Sequence, residues 1–179
     1  LVLGGSQGAR AVNELAVGVL PALVRAMSKL QFIHLTGGAD FEKVKQAYDA
    51  LGARAVVRPF LTEMEFALGA ADLALSRAGA SSLAEFAAME LPAVLIPYPT
   101  AVDDHQWFNA RTFREMGAAH IMPQKAAHPA LLAKLITGLL RDDKSLEHMR
   151  QALRNWKAVN AAETVAGRIL DLCQYEQLQ

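Results

Sequence analysis

Cysteine is nearly absent: Cys173 is the only one in 179 residues. That excludes an internal disulfide and suits a reducing compartment. An excess of either charge is also lacking, with 18 Lys+Arg against 18 Asp+Glu. Bulk electrostatics therefore give no reason to expect a nucleic-acid partner or direct adhesion to an acidic membrane; a local patch remains open. No apolar run reaches the ~20 residues of a spanning helix, and no signal peptide stands out. Internal repeats and low-complexity segments are absent. The dinucleotide fingerprint G-x-G-x-x-G is missing, and so is the Gly-Lys-Ser/Thr of the triphosphate loop. No ligand cluster has metal-binding spacing, so no metal and no cofactor are expected. The chain also lacks an initiator methionine and opens at Leu1 inside an apolar stretch. It reads as an excised C-terminal half of a longer protein.

What is present is ample apolar material, 53% of residues, enough for one sizeable domain. Leu1-Val2-Leu3 runs straight into Gly4-Gly5-Ser6-Gln7-Gly8, and Ala9 and Arg10 open a helical pattern. Strand, glycine loop and helix N-terminus together make an anion cradle. The glycines allow close approach, the first helical N–H groups are unpaired, and Ser6 adds a hydroxyl. A plain buried turn is the alternative.

Further short apolar runs follow at residues 31–35, 54–60, 71–75, 92–97 and 118–122, each followed by a helical pattern. Helices are expected at 11–20, then separately at 21–30 because Pro21 breaks the pattern, and at 40–51 with Asp40 as cap and Gly52 as stop. Others are expected at 63–69, 83–89 and 104–116, with the region 128–173 mostly helical. Leu131, Leu132, Leu135, Ile136, Leu139 and Leu140 mark one apolar face there, and Ala162, Val165, Ala166, Ile169 and Cys173 another. Residues 124–128 are the one candidate linker. Strands alternating with helices predict an α/β fold, a doubly wound parallel sheet of about six strands. Ligands on such sheets bind beyond the carboxyl ends of the strands.

Among the loops there, Ser76-Arg77-Ala78-Gly79-Ala80-Ser81-Ser82-Leu83-Ala84-Glu85 is the second glycine loop leading into a helix. Two readings of Glu85 stand. In the first turn of a helix it can accept from a ribose diol, or it completes a Ser82–Glu85 capping box. Asp103-Asp104-His105 reads better as a polar N-cap than as a metal site. Gln106 and Asn109 share a helix face and would read sugar hydroxyls if they face a pocket. His34, His120, His128 and His148 read as packed or surface residues, and Trp107 and Phe108 as core or pocket wall. No Ser/His/Asp or Cys/His constellation can be assembled.

Four motifs stand in a familiar order: Gly4-Gly5-Ser6-Gln7-Gly8-Ala9-Arg10, the stretch from Ser76 to Glu85, Leu91-Pro92-Ala93-Val94-Leu95-Ile96-Pro97-Tyr98-Pro99, and His105-Gln106-Trp107-Phe108-Asn109-Ala110. With them the chain resembles the C-terminal, donor-binding half of the MurG family. These are bacterial peptidoglycan glycosyltransferases that move GlcNAc from UDP-GlcNAc onto lipid I to give lipid II. The likeness covers nearly the whole chain and thins after Gln124.

The resemblance implies a GT-B architecture, with residues 1–160 as the UDP-sugar domain and a helix at 161–179 that crosses to an N-terminal acceptor domain. It implies an inverting, metal-independent transfer. Ser6, Gln7 and Gly8 stand at the diphosphate and the Leu61 backbone at the uracil. Ala80, Ser81, Ser82 and Leu83 line the ribose and diphosphate, with Glu85 on the ribose hydroxyls. Gln106 and Asn109 stand at the GlcNAc. His105 departs from members that carry a second glutamine. The catalytic residues, the lipid I site and the membrane contact would lie in the other half. The whole enzyme would sit peripherally on the cytoplasmic face of the bacterial inner membrane. A different UDP-sugar transferase, such as a glycolipid synthase, an NAD-type domain and an idle interaction module are the alternatives. The NAD reading also places its ribose-binding acid badly, since Asp40 lies beyond Gly37-Gly38.

Overall fold

The computed structural model describes residues 1–5, 8–156 and 161–176. Six strands form one parallel sheet: β1 Val2–Leu3, β2 Phe32–Leu35, β3 Ala55–Arg58, β4 Ala74–Ser76, β5 Ala93–Leu95 and β6 Ala119–Ile121, in the spatial order β3-β2-β1-β4-β5-β6. Each strand is followed by helix: α1 Arg10–Ala26, α2 Phe41–Ala50, α3 Met64–Gly69, α4 Ala80–Ala88, α5 His105–Glu115, then α6 Pro129–Arg141, α7 Asp143–Trp156 and α8 Ala161–Glu176. The expected doubly wound α/β sheet is what the chain forms.

Strand side chains alternate between faces, so the central strands β1, β4 and β5 each feed two cores, while the edge strands β3 and β6 expose part of one face. Val2, Leu75 and Val94 pack under α1 and α6 with Val12, Leu15, Leu132 and Ile136. Leu3, Ala74, Ala93 and Leu95 pack under α4 and α5 with Leu83, Phe86, Ala110 and Phe113. A smaller cluster of Leu20, Val44, Tyr48 and Val57 seals α2 against the sheet. Strands buried on both faces need no polar alternation, which is why they read as continuous apolar runs. The chain runs outward from β1 through β2 to β3, then returns to start again at β4. β1 and β4 are therefore neighbours at the point where the strand order reverses, in register Val2 with Leu75 and Leu3 with Ser76. Loops leaving them diverge and open a crevice at the carboxyl edge.

Several local expectations are corrected. Pro21 does not divide α1, which is a single helix through it. Proline removes the bond its N–H would give Val17 O, but Pro21 is exposed, while Leu15, Val19, Leu20 and Leu23 stay buried on both sides of it. Burial of that stripe outweighs the break. Pro21→Ala should therefore raise stability by about 1–3 kcal/mol, read from the urea midpoint. Asp40 holds the N-cap position of α2 without a side-chain cap bond, because its carboxylate accepts from Asn13 instead. Gly52 does stop α2, at φ +56.

Residues 124–128 are not a linker. Gln124–Ala126 is a 3-10 turn whose Gln124 side chain accepts from Arg77. Leu131 points outward, while Leu132, Ala133, Ile136 and Leu139 form the buried face of α6. On α8 the apolar residues Val165, Ile169, Leu170 and Leu172 are all exposed, at 55–68%. Among the described residues, no helix is long and apolar enough to cross a membrane.

Candidate functional site

Two helix N-termini follow the adjacent strands β1 and β4 at the switch point. After β1, Gly5 and Gly8 take positive φ of 93° and 77°, and the Gly8 N–H donates to Gly5 O at 3.0 Å. A Cβ on Gly8 would stand 2.2 Å from Thr36 O, so only glycine lets this loop rest on the β2 loop. The loop delivers α1 with Ala9 at its N-cap, no side-chain cap and no acid in the first turn. After β4, Gly79 is the N-cap of α4, again without a side-chain cap and without an acid in the first turn. Within α4, the Leu83 N–H is used by Gly79 O, which leaves those of Ala80, Ser81 and Ser82 outside the helical ladder. Two sets of unpaired donors with their helix dipoles thus lie beyond the carboxyl ends of adjacent strands, an arrangement that favours an anion.

The β5 loop is bound to the β4 loop. Gln106 Oε1 accepts from Tyr98 N at 3.0 Å and Ala78 N at 3.3 Å, and Asn109 Nδ2 donates to Ala78 O at 3.1 Å. Arg77 is buried beneath the same loops. Its guanidinium donates to Ile96 O at 2.9 Å, Pro97 O at 3.2 Å and Gln124 Oε1 at 2.7 Å, and lies 5.3 Å from the centre of the Tyr98 ring. Burial lowers its pKa from the usual arginine value, and Tyr98 opposes that shift. A cavity of about 880 Å³ opens at the other edge of the sheet, lined by Leu1, Leu30, Phe32, Asp72 and Arg141. It holds none of the converging loops.

Residues 1–165 match the glycosyltransferase family 28 C-terminal domain. The chain belongs to this glycosyltransferase family. It is 45% identical over 166 residues to the UDP-N-acetylglucosamine--N-acetylmuramyl-(pentapeptide) pyrophosphoryl-undecaprenol N-acetylglucosamine transferase of Methylococcus capsulatus, covering 93% of this chain and 46% of that protein. It is 40% identical over 175 residues to the enzyme of the same name from Syntrophotalea carbinolica, covering 97% and 48%. Its fold matches the crystal structure of Acinetobacter baumannii MurG with a TM-score of 0.85 at 35% identity, covering 95% of this chain and 48% of that one. The chain thus spans about half the length of these relatives. The glycosyltransferase VinC, in complex with DTDP, shares the fold alone, at a TM-score of 0.69 and 15% identity.

Within this glycosyltransferase domain, Ser6 and Gln7 lie outside the described residues, and Gly8 forms the loop floor. Ala80, Ser81 and Ser82 form the first turn of α4, three residues earlier than expected. That shift overturns the capping box. Ser82 sits inside the helix, and Glu85 is exposed on the second turn, its carboxylate without a hydrogen bond to a described residue. Leu83 turns its side chain into the core. Leu61 is half-buried after β3 and packs on the α4 core.

Gln106 and Asn109 do share a face, but it meets neighbouring loop backbone. Gln106 spends its carbonyl oxygen there and keeps the amide N–H pair. Asp104 occupies the N-cap position of α5 without a side-chain cap bond, and both Asp103 and Asp104 take φ of 51°. Trp107 and Phe108 are exposed rather than packed, because α5 buries Ala110 and Phe113 instead.

Sequence reasoning missed Arg77 and Asn13. An arginine after an apolar strand reads as a surface charge, and Asn13 hides in an apolar helical pattern. Ser76 is fully buried, and its Oγ has no hydrogen-bond partner among the described residues. Ser76→Ala should be neutral or stabilising by about 1 kcal/mol in urea unfolding, since it removes an unpaired hydroxyl without opening a large cavity.

Proposed function

We propose that this chain is the UDP-GlcNAc-binding half of an inverting, metal-independent glycosyltransferase that moves GlcNAc onto lipid I to make lipid II. The observation that carries this is the pair of uncapped, acid-free helix N-termini, α1 and α4, at the switch point of a family 28 domain. A departing UDP concentrates charge on its diphosphate. Preorganised N–H donors in a low-dielectric crevice stabilise that charge as it develops. Gly8 and the N-termini of α1 and α4 hold the diphosphate, with Ser6 and Gln7 adding side-chain contacts. Glu85 accepts from the ribose hydroxyls, which suits a carboxylate with no competing partner among the described residues. The Leu61 backbone meets the uracil. Gln106 donates to the sugar from its remaining N–H pair, and Asn109 keeps the Ala78 carbonyl in place behind it.

Acceptor, base and membrane contact belong to the other half of the longer enzyme, which works peripherally on the cytoplasmic face of the bacterial inner membrane. The exposed apolar residues of α8 cross to that half, which gives Val165, Ile169, Leu170 and Leu172 a surface to cover.

Calorimetric titration of the chain with UDP-GlcNAc, UDP-glucose, UDP and NAD tests the reading. UDP-GlcNAc should bind in preference to UDP-glucose, NAD should not bind, and no lipid II should form without the other half. A preference for UDP-glucose would assign a glycolipid-type transferase, and binding of NAD alone would sink the proposal. Glu85→Ala should weaken UDP binding by roughly 1.5–3 kcal/mol, the value of a hydrogen bond to a charged group. Its urea midpoint should barely move, because the carboxylate caps nothing.

A further inference from the structure

Under the glycine loop runs a buried polar chain that the transfer chemistry does not itself require. Asn13, His34, Thr36 and Tyr48 are each 0–2% exposed. Asn13 Nδ2 donates to Thr36 O and to Asp40 Oδ2, both at 2.8 Å. His34 Nε2 lies 3.0 Å from Asn13 Oδ1, and His34 Nδ1 lies 3.2 Å from the Tyr48 hydroxyl.

The polarity of this chain is fixed by its acceptor end. A backbone carbonyl and a carboxylate can only accept, so both Asn13 N–H bonds point at them and Oδ1 points at His34. His34 must then donate from Nε2, which leaves Nδ1 as the acceptor for the Tyr48 O–H. The directed bonds run Tyr48 to His34 to Asn13 to Thr36. They end on the carbonyl against which Gly8 lies too closely for any Cβ.

We propose that Asn13 and His34 are positioning residues of the donor site. The chain of bonds holds the Thr36 carbonyl, and Thr36 holds the Gly8 backbone and with it the diphosphate loop. This rests on the donor-site reading above. Apolar side chains would fill the same buried volume, but they would give no direction to the Thr36 carbonyl. A satisfied polar chain with one allowed set of donors fixes a unique arrangement.

The test uses the whole chain. Nitrogen NMR should show His34 as the neutral Nε2–H tautomer. His34→Gln places an amide N–H near the old Nε2, whereas His34→Asn reaches only the Nδ1 position. Both lose stability. Only His34→Asn, along with Asn13→Ala, should weaken UDP binding about tenfold and speed exchange of the Gly8 amide relative to the Leu75 amide. His34→Gln should keep affinity within about twofold of the parent.

An Nδ1–H tautomer overturns the proposal, and that measurement decides the matter even where a variant does not fold. Equal losses of affinity in His34→Gln and His34→Asn, tracking stability, also overturn it. A parent chain that binds UDP while His34→Asn binds it equally well overturns this inference alone. A parent chain that binds no UDP overturns the donor-site reading and this inference with it.

Discussion

Gly8→Ala is expected to abolish UDP binding and to cost about 3–5 kcal/mol of stability. The residue sits at φ +77, and an added Cβ would lie 2.2 Å from Thr36 O, 2.8 Å from Thr36 C and 2.9 Å from Gly37 Cα. All three are backbone atoms in a loop anchored to β3, where Thr36 N donates to Arg58 O and Gly37 N to Pro59 O, each at 3.0 Å. No flexible side-chain tip can swing away, so either the glycine loop lifts or the β2 loop does. Both movements disturb the crevice.

Gly5 is the internal control. Its φ is +93, but nothing lies within 4 Å of an added Cβ. Gly5→Ala should therefore lose only about 1–2 kcal/mol, the cost of left-handed backbone. Urea unfolding and UDP titration of the two variants separate the effects. Equal stability losses would show that Gly8 is held by its dihedral and not by contact with Thr36. Domains of this kind are held by only about 5–15 kcal/mol, so the Gly8 variant should be marginal at 37 °C.

The second large effect is on acid stability. Burial lowers the His34 pKa to about 4, against a partial opposing effect of Asp40. The unfolded chain binds a proton on this histidine near pH 6.5, and the folded chain does so only near 4. Between those values the unfolded state holds more protons, so stability falls as pH falls from 6.5 and levels off below 4. The whole span is worth about 3 kcal/mol. Comparing the parent with His34→Gln isolates the histidine. The stability difference between them should narrow by about 3 kcal/mol from about pH 7 to about pH 4. A difference independent of pH would mean that His34 is charged in the folded chain.

The strand-helix alternation was legible because strands buried on both faces must be apolar throughout, and such runs stand out between glycine turns. The two glycine loops were legible for the same reason that they work: a backbone that must approach a ligand or another loop has no room for a side chain. Boundaries were less legible where one local signal competed with packing. Pro21 signals a break, but the buried stripe from Val12 to Leu23 carries α1 through it. Ser82 and Glu85 have capping-box spacing, but Gly79 already starts α4 and carries both residues into the helix.

By itself, the sequence determined the fold class, the order of the elements and the two loops that flank the crevice, since these follow from local pattern and glycine sterics. Only the tertiary structure decided what the polar side chains do. Whether Asn13, Arg77, Gln106 and Asn109 face water, a ligand or a neighbouring loop depends on partners 8–47 residues away in the chain, such as Thr36, Tyr98, Ala78 and Gln124. An amide or guanidinium carries no periodic signature. Its role is fixed by whichever donor or acceptor the fold brings within about 3 Å.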